Sequence, residues 1–322
     1  MSETQIDCSI VIVNWNTVQM LDECIASILA NSSGFTSELI VVDNASTDNS
    51  VEMVQRKYSG VVLIKNEKNL GFAAANNQAI AIAKGVYVLL LNSDTIICGD
   101  VLRNSVLYMN QNTEVGAMGC RVLNTDRSMQ PTCSNFPSII NLMLLTSGLW
   151  KLSWPSFFDR YQLRRWDRLS ERDVEVISGC YLLTRRTVIQ EIGLLDENFF
   201  FFGEETDWCR RMRNANWKLR FAPVGQIIHH GGGSVRKLSY QRDLMLSSAM
   251  VKLHLKYSGK PSAIAVWAIV NTFNISRAAF WTLVSLVTRS AKAQERRSHF
   301  TTLACSGRKI WPAEKTWSFS NG

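Results

Sequence analysis

An α/β fold with a mostly parallel sheet flanked by helices is what this sequence predicts, and three observations carry the prediction. Short apolar runs recur through the first third of the chain. Segments with helical spacing separate them. Polar side chains close most of the runs. Strands that are apolar at nearly every position belong to sheets covered on both faces. Helices between such strands favour parallel pairing through right-handed crossovers.

Taken in order, Ser9-Ile10-Val11-Ile12-Val13 is the first strand, ended by Asn14-Trp15-Asn16. Val18, Leu21, Ile25, Ile28 and Leu29 then recur at helical spacing. Glu38-Leu39-Ile40-Val41-Val42 is the second strand, closed by Asp43-Asn44. Residues 45–50 offer N-cap side chains for a helix over 51–58. Residues 61–64 form a third strand. Small residues over 73–84 predict a helix that Gly85 can end. Residues 86–91 are a fourth strand, followed by Asn92-Ser93-Asp94. Farther on, 176–183 reads as a strand, 187–192 as a short helix and 204–214 as a helix opened by Glu204-Glu205-Thr206-Asp207. Residues 218–222 and 226–228 read as two more strands, before the loop His229-His230-Gly231-Gly232-Gly233-Ser234.

Ligands of such sheets bind beyond the carboxyl ends of the strands. Asn14 and Asn16, Asp43 and Asn44, and Asn92 and Asp94 all fall there. Any one of them alone reads as an ordinary loop-capping side chain. Their repetition points to a site.

The bulk properties narrow the function classes. The chain has 322 residues, 46% of them apolar, which is enough for a real core and excludes wholesale disorder. Its net charge of +8 suits an anionic substrate, a nucleic acid or an acidic membrane surface. The eight cysteines are scattered without a C-x-x-C pair, against a zinc ribbon or a disulfide scaffold. Residues 1–7 are acidic and polar, unlike a secretory signal. Reduced thiols in a cytoplasmic protein are expected. No G-x-G-x-x-G follows the first strand, which disfavours a dinucleotide dehydrogenase.

Across residues 10–234 the chain resembles the family-2 glycosyltransferases, of the Rossmann-like GT-A fold. The matching segments include Val41-Val42-Asp43-Asn44-Ala45-Ser46, Asn69-Leu70-Gly71-Phe72, Leu91-Asn92-Ser93-Asp94, Ser178-Gly179, Glu204-Glu205-Thr206-Asp207-Trp208 and His229-His230-Gly231-Gly232. Within that family it is similar to bacterial rhamnosyltransferase-type enzymes of cell-surface polysaccharide synthesis. The resemblance implies a nucleotide-sugar donor (a dTDP- or UDP-sugar, with dTDP-rhamnose a candidate) and a glycan or polyprenyl-linked acceptor. It implies that Asp43 bonds the pyrimidine and that Asn14 lies near the nucleotide. Asn69, Gly71 and Asn76 would frame the nucleotide pocket. Asp94 matches the last acid of the family's D-x-D motif and would bind Mg²⁺ or Mn²⁺, with Asn92 in place of the first acid. His229 would complete the metal site, with His230 the alternative. Glu205 would be the catalytic base of an inverting displacement, with Asp207 the alternative.

Residues 1–240 are expected to form the catalytic domain and 241–322 a helical extension. In the middle, 138–145 is apolar but too short to span a bilayer. Beyond it, Trp154, Phe157, Arg160, Arg165 and Trp166 interleave aromatic and basic groups, as a lipid- or acceptor-facing surface or an amphipathic insertion would. In the tail, 262–288 is rich in apolar residues but carries Arg277 near its middle. A central arginine costs roughly 2.5–3.5 kcal/mol on insertion. Amphipathic helices lying on the inner face of the plasma membrane are therefore expected, with a soluble helical subdomain the competing reading. A nucleic-acid partner is not expected, because it gives Asp43 and Asp94 nothing to do. The alternatives are an inactive relative that keeps the fold to bind a partner and, second to it, a basic nucleic-acid-binding protein. The chain does not fix an oligomeric state.

Overall fold

The computed structural model describes residues 5–151, 156–231 and 239–312. Trp154, Gly232, Gly233 and Ser234 of the sequence reading lie outside them.

The parallel half of the sheet forms as expected. Strands β1 (Cys8–Asn14), β2 (Ser37–Asp43), β3 (Val62–Lys65) and β4 (Tyr87–Asn92) alternate with helices α1 (Val18–Ala30), α2 (Ser50–Lys57) and α3 (Phe72–Ile82). They pair in parallel in the order β3-β2-β1-β4. Beyond β4 come β5 (Thr95–Cys98), α4 (Val101–Gln111) and β6 (Val115–Leu123), which the sequence reading does not place.

After β7 (Cys133–Ser134) and α5 (Ile139–Ser147), residues 176–183 divide. They were expected as one strand. Two form instead, β9 (Val176–Ile177) and β10 (Tyr181–Arg185), and they join different sheets. β9 pairs with β7 in a small ribbon, while β10 inserts antiparallel between β4 and β6. Helices α6 (Arg186–Ile192) and α7 (Glu204–Asn214) follow as read. The two expected strands over 218–228 are one, β11 (Lys218–His229), irregular between Phe221 and Gln226. Pro223 lies in that interval and has no N–H for the ladder. β11 pairs in parallel with β6 and antiparallel with β5 and with β8 (Arg172–Asp173). Thus β1, β2, β3, β4, β6 and β11 point one way, and β5, β8 and β10 run against them.

The strand pleat divides the core in two. Ile10, Ile12, Val41, Leu89 and Leu91 pack under α1, α2 and α4. Val11, Ile40, Val42, Val88 and Leu90 pack against α3, α6 and α7. This two-sided burial explains why these strands read as unbroken apolar runs. Gly85 does not cap α3, which ends at an extended Ala83. A Cβ at Gly85 would lie 2.4 Å from the backbone nitrogen of Ser9, so glycine is needed there for strand packing.

In the aromatic and basic middle segment Trp166 is spent internally, while Phe157, Arg160 and Arg165 are exposed. Trp166 packs edge-on against Phe221, with Arg168 and Arg172 over its ring. The cysteines are unpaired.

The C-terminal helices are α8 (Tyr240–Thr288), α9 (Ala291–Cys305) and α10 (Gly307–Ile310). α8 bends at Gly259, where φ is +78°, just before Pro261. Its first arm packs Ala249 and Leu253 on Phe199, beside α7. Its second arm buries Ala263, Val266 and Val270 against Leu142, Leu303 and Ile310. The opposite face of that arm is exposed and apolar, with Ile275, Phe280, Leu283, Leu286 and Val287.

Candidate active site

Strand register gathers the predicted residues. Asn14 of β1 lies beside Asp43 of β2, and Val13 lies beside Asn92 of β4. Three polar strand ends therefore share one edge. β11 brings His229 opposite Thr95, next to Asp94, although 135 residues of chain separate His229 from Asp94 (229 − 94).

The first group is a closed network. Asn14 donates to Oδ1 of Asp43 at 3.0 Å and to Oγ of Ser46 at 3.1 Å. The Ser46 amide donates to Oδ2 of Asp43 at 2.9 Å. Thr17 donates to Oδ1 of Asn14 at 2.6 Å and lies 2.9 Å from the Ser93 hydroxyl. Asn14 is fully buried and Asp43 is 2% exposed, so Asn14 acts by bracing Asp43. Each Asp43 oxygen keeps a second lone pair for a ligand.

Asn44 organises the next loop. It donates to Oδ1 of Asn69 at 2.8 Å and to the Gly71 carbonyl at 3.2 Å, and it accepts from the Leu70 amide at 3.0 Å. Gly71 has φ +86°, and a Cβ there would lie 2.4 Å from the Phe200 carbonyl. Its close approach is thus to the segment leading into α7, where the Phe72 amide also donates to Phe200 at 2.7 Å. Asn76 donates to the Phe72 carbonyl at 2.8 Å, while its buried Oδ1 has no hydrogen-bond partner among the described residues.

The second group is Asn92, Asp94 and His229. Nε2 of His229 lies 3.1 Å from Oδ1 of Asp94 and 3.2 Å from Nδ2 of Asn92. The His230 amide donates to the Asp94 carbonyl at 2.9 Å. No cluster of three or more His, Cys, Asp or Glu side chains suited to a metal occurs among the described residues. Asp94 and His229 nevertheless offer an oxygen and a nitrogen donor of the kinds a divalent cation takes, while the Asn92 amide turns its Nδ2 toward His229 and would offer its oxygen only after rotating. Neighbouring ligands on an octahedral ion with bonds of about 2.1 Å stand roughly 3.0 Å apart, close to the Asp94–His229 separation. Only His229 of the histidine doublet brings its ring to Asp94.

The third group sits at the tip of α7. Gly203 enters the helix with φ +92°, and a Cβ there would come within 2.9 Å of the Phe199 ring. Oε2 of both Glu204 and Glu205 is buried without a hydrogen-bond partner among the described residues. Burial, and then the charge of Glu205, holds the Glu204 carboxyl well above the usual range. Burial also raises Glu205, against backbone and Glu204 hydrogen bonds that lower it. The Tyr161 hydroxyl is pushed up to about 12 by burial and by the Glu205 charge.

Asp207, the alternative base, is tied into the fold. It is fully buried, ion-paired with Lys256 at 2.6 Å and Arg211 at 2.9 Å, and it accepts from the Tyr257 hydroxyl at 2.7 Å. Those bonds make it the anchor between α7 and α8. Lys256 and Tyr257 are absent from the sequence-based site because nothing local ties α8 to α7.

Residues 9–193 match the family Glycosyl transferase family 2. The chain is 25% identical over 206 residues to N-acetylglucosaminyl-diphospho-decaprenol L-rhamnosyltransferase of Mycobacterium tuberculosis, covering 60% of this chain and 66% of that protein. It is 26% identical over 234 residues to the low-salt glycan biosynthesis hexosyltransferase Agl10 of Haloferax volcanii, covering 70% and 67%. Among solved structures, a mannosyltransferase of Pyrobaculum calidifontis in complex with GDP-Man and Mn²⁺ superposes with a TM-score of 0.58 at 14% identity, covering 97% of this chain and 89% of that one. GalNAc-T7 with UDP, GalNAc and Mn²⁺ superposes with a TM-score of 0.55 at 16% identity, covering 77% and 48%. The fold is accordingly GT-A.

Proposed function

The chain belongs to glycosyl transferase family 2, and from that premise we propose that it moves a sugar from a nucleoside-diphosphate donor to a glycan or lipid-linked acceptor during cell-surface glycan synthesis. The observation that carries this reading is the Asp94–His229 pair, 3.1 Å apart, on the same sheet edge as Asp43. The named activities of the relatives favour a hexosyl donor, with dTDP-rhamnose first among the dTDP- and UDP-sugars to try.

Asp94, His229 and the Asn92 amide are the residues that would hold Mg²⁺ or Mn²⁺. When bound, such an ion supplies Lewis-acid stabilisation of the leaving diphosphate. Asp43, braced by Asn14, takes the nucleobase. The loop of Asn69 and Gly71, with the buried Oδ1 of Asn76, frames the nucleotide. Glu205 accepts the proton of the acceptor hydroxyl as that oxygen bonds to the anomeric carbon. The bond from that carbon to the diphosphate oxygen breaks on the opposite face, and the configuration inverts. A raised carboxyl pKa suits a base that must work near neutral pH.

Incubation with a panel of nucleotide sugars, with and without Mn²⁺ or Mg²⁺, tests the reading. Metal-stimulated donor hydrolysis or transfer is expected with at least one donor. Donor binding with no turnover across the panel would leave an inactive member that keeps the fold for binding.

The second arm of α8 is proposed to lie on the inner membrane surface. Leu283 and Val287 are 66% and 84% exposed, and Arg289 and Lys292 follow them. Such a face inserts its apolar residues and draws its basic ones to anionic lipid. Vesicles containing anionic lipid should sediment the protein, and Leu283→Glu with Leu286→Glu should release it by about tenfold or more, since each buried side chain contributes ~1.5–3 kcal/mol. Unchanged sedimentation would exclude this face.

A further inference from the structure

We propose that Gln130 is a positioning residue that keeps a proton on Nδ1 of His229, so that Nε2 faces Asp94 either bare or sharing a cation. The inference rests on the metal-site reading above, but it concerns a residue outside the matched motifs, in the turn that follows β6.

Nδ1 of His229 lies 2.6 Å from Oε1 of Gln130. Whether that nitrogen donates depends on which way round the Gln130 amide sits, and amide orientation must be settled by the surrounding bonds. Here it is settled. Nε2 of Gln130 lies 2.9 Å from Oδ1 of Asn124 and 3.5 Å from the His229 carbonyl. A flipped amide would set oxygen against both.

Asn124 is oriented in turn. Its Nδ2 donates to Oγ of Ser128 at 2.9 Å, and the Ser128 hydroxyl donates to Oδ1 of Asp126 at 2.5 Å. A carboxylate only accepts, so Asp126 sets the direction of the whole chain. Reading back from it, Ser128 gives its proton to Asp126, Asn124 gives to Ser128, Gln130 gives to Asn124, and His229 gives to Gln130.

Backbone bonds hold the turn that carries these side chains. The Asn124 amide donates to Ser128 at 2.8 Å, the Arg127 amide to Asn124 at 2.9 Å, and the Gln130 amide to Val122 of β6 at 2.9 Å. The relay is therefore built onto the same strand that pairs with β11, and β11 carries His229.

The consequence lies at Nε2. With Nδ1 committed, a neutral His229 ring has its lone pair on Nε2, which accepts from Asn92 and faces the Asp94 oxygen. That lone pair, 3.1 Å from the Asp94 oxygen, is the one a cation shared with Asp94 would take. The ring that would waste the site, with Nδ1 bare and the proton on Nε2, is the one that Gln130 excludes.

Two measurements decide this. In protein labelled with ¹⁵N at histidine, Nδ1 of His229 should carry its proton both without metal and with diamagnetic Mg²⁺ plus nucleoside diphosphate. A bare Nδ1 in either state overturns the proposal. Separately, Mn²⁺ titration in the presence of nucleoside diphosphate should show Gln130→Leu binding the ion about 10–100-fold more weakly, the usual effect of losing an outer partner of a ligating histidine. Gln130→Glu, which keeps an acceptor, should recover most of that loss. In a His229→Ala background, Gln130→Leu should change nothing further. Wild-type affinity in Gln130→Leu, or an equal loss in both backgrounds, overturns the proposal. If the wild-type protein binds no Mn²⁺ at all, the metal-site reading fails, and the ¹⁵N result still judges Gln130.

Discussion

The two sides of the candidate site treat their polar groups in opposite ways. On the proposed nucleotide side, Asn14, Thr17 and Asp43 are buried, Ser46 is half-buried, and the four are bonded to one another. On the proposed acceptor side, Glu204 and Glu205 stand together at the tip of α7, each with a buried oxygen that has no hydrogen-bond partner among the described residues. A closed network stabilises the fold and is ready before a ligand arrives. A pair of desolvated acids costs stability, and such groups concentrate where chemistry needs a shifted pKa. The difference teaches that the proposed donor side is built as structure, whereas the proposed acceptor side is held poised at the expense of structure.

The strongest way to break this comparison is Glu205→Gln. Loss of a general base should cut turnover about 10²–10⁴-fold while donor affinity, read by calorimetry, stays within a factor of a few. Near-normal turnover would remove Glu205 from the chemistry. Asp94→Ala should act on the other side, weakening metal-dependent donor binding by more than about tenfold, or ~1.4 kcal/mol. Metal-independent donor affinity in the wild type would undo that assignment.

Stability measurements sharpen the contrast further. Asn14→Ala leaves the buried Asp43 short of a donor and should lower unfolding stability by about 1–3 kcal/mol. Glu204→Gln should have the opposite sign and the smallest size, a gain under about 1 kcal/mol at neutral pH.

The pH dependence follows from the raised carboxyls. In the folded chain Glu204 and Glu205 keep protons that the unfolded chain releases near the ordinary value of 4.5. Their contribution to stability is therefore present at low pH and falls as pH climbs from there through the raised values. Glu204→Gln should flatten that fall in a series of urea melts. In the wild type, the acid limb of kcat/KM should lie above the ordinary glutamate range.

Much of this was readable in the chain itself. β1, β2 and β4 are buried on both faces, so their sequences are apolar throughout and close on the polar residues that line the site. β6 was not readable, because Gly116 and Gly119 interrupt it. Those glycines make room for Trp217 and Ile177, which a Cβ would approach to 2.7 and 2.8 Å. The apolar run over 176–183 hid a change of sheet, since hydrophobicity records burial and not partner. Asp94 and Glu205 were singled out by motif order. Gln130, Lys256 and Tyr257 were not, because each meets its partner across 49 residues or more of chain, and only the folded topology brings them together.

The bend in α8 has a mechanical consequence. Lys256 and Tyr257, which clamp Asp207, sit within three residues of the pivot at Gly259. Asp207 in turn lies two residues beyond Glu205. The pivot, the clamp and the proposed proton acceptor thus form a short crank. A swing of the outer arm about Gly259 would reach the seating of α7 through this clamp, as it would reach α5 through Leu142.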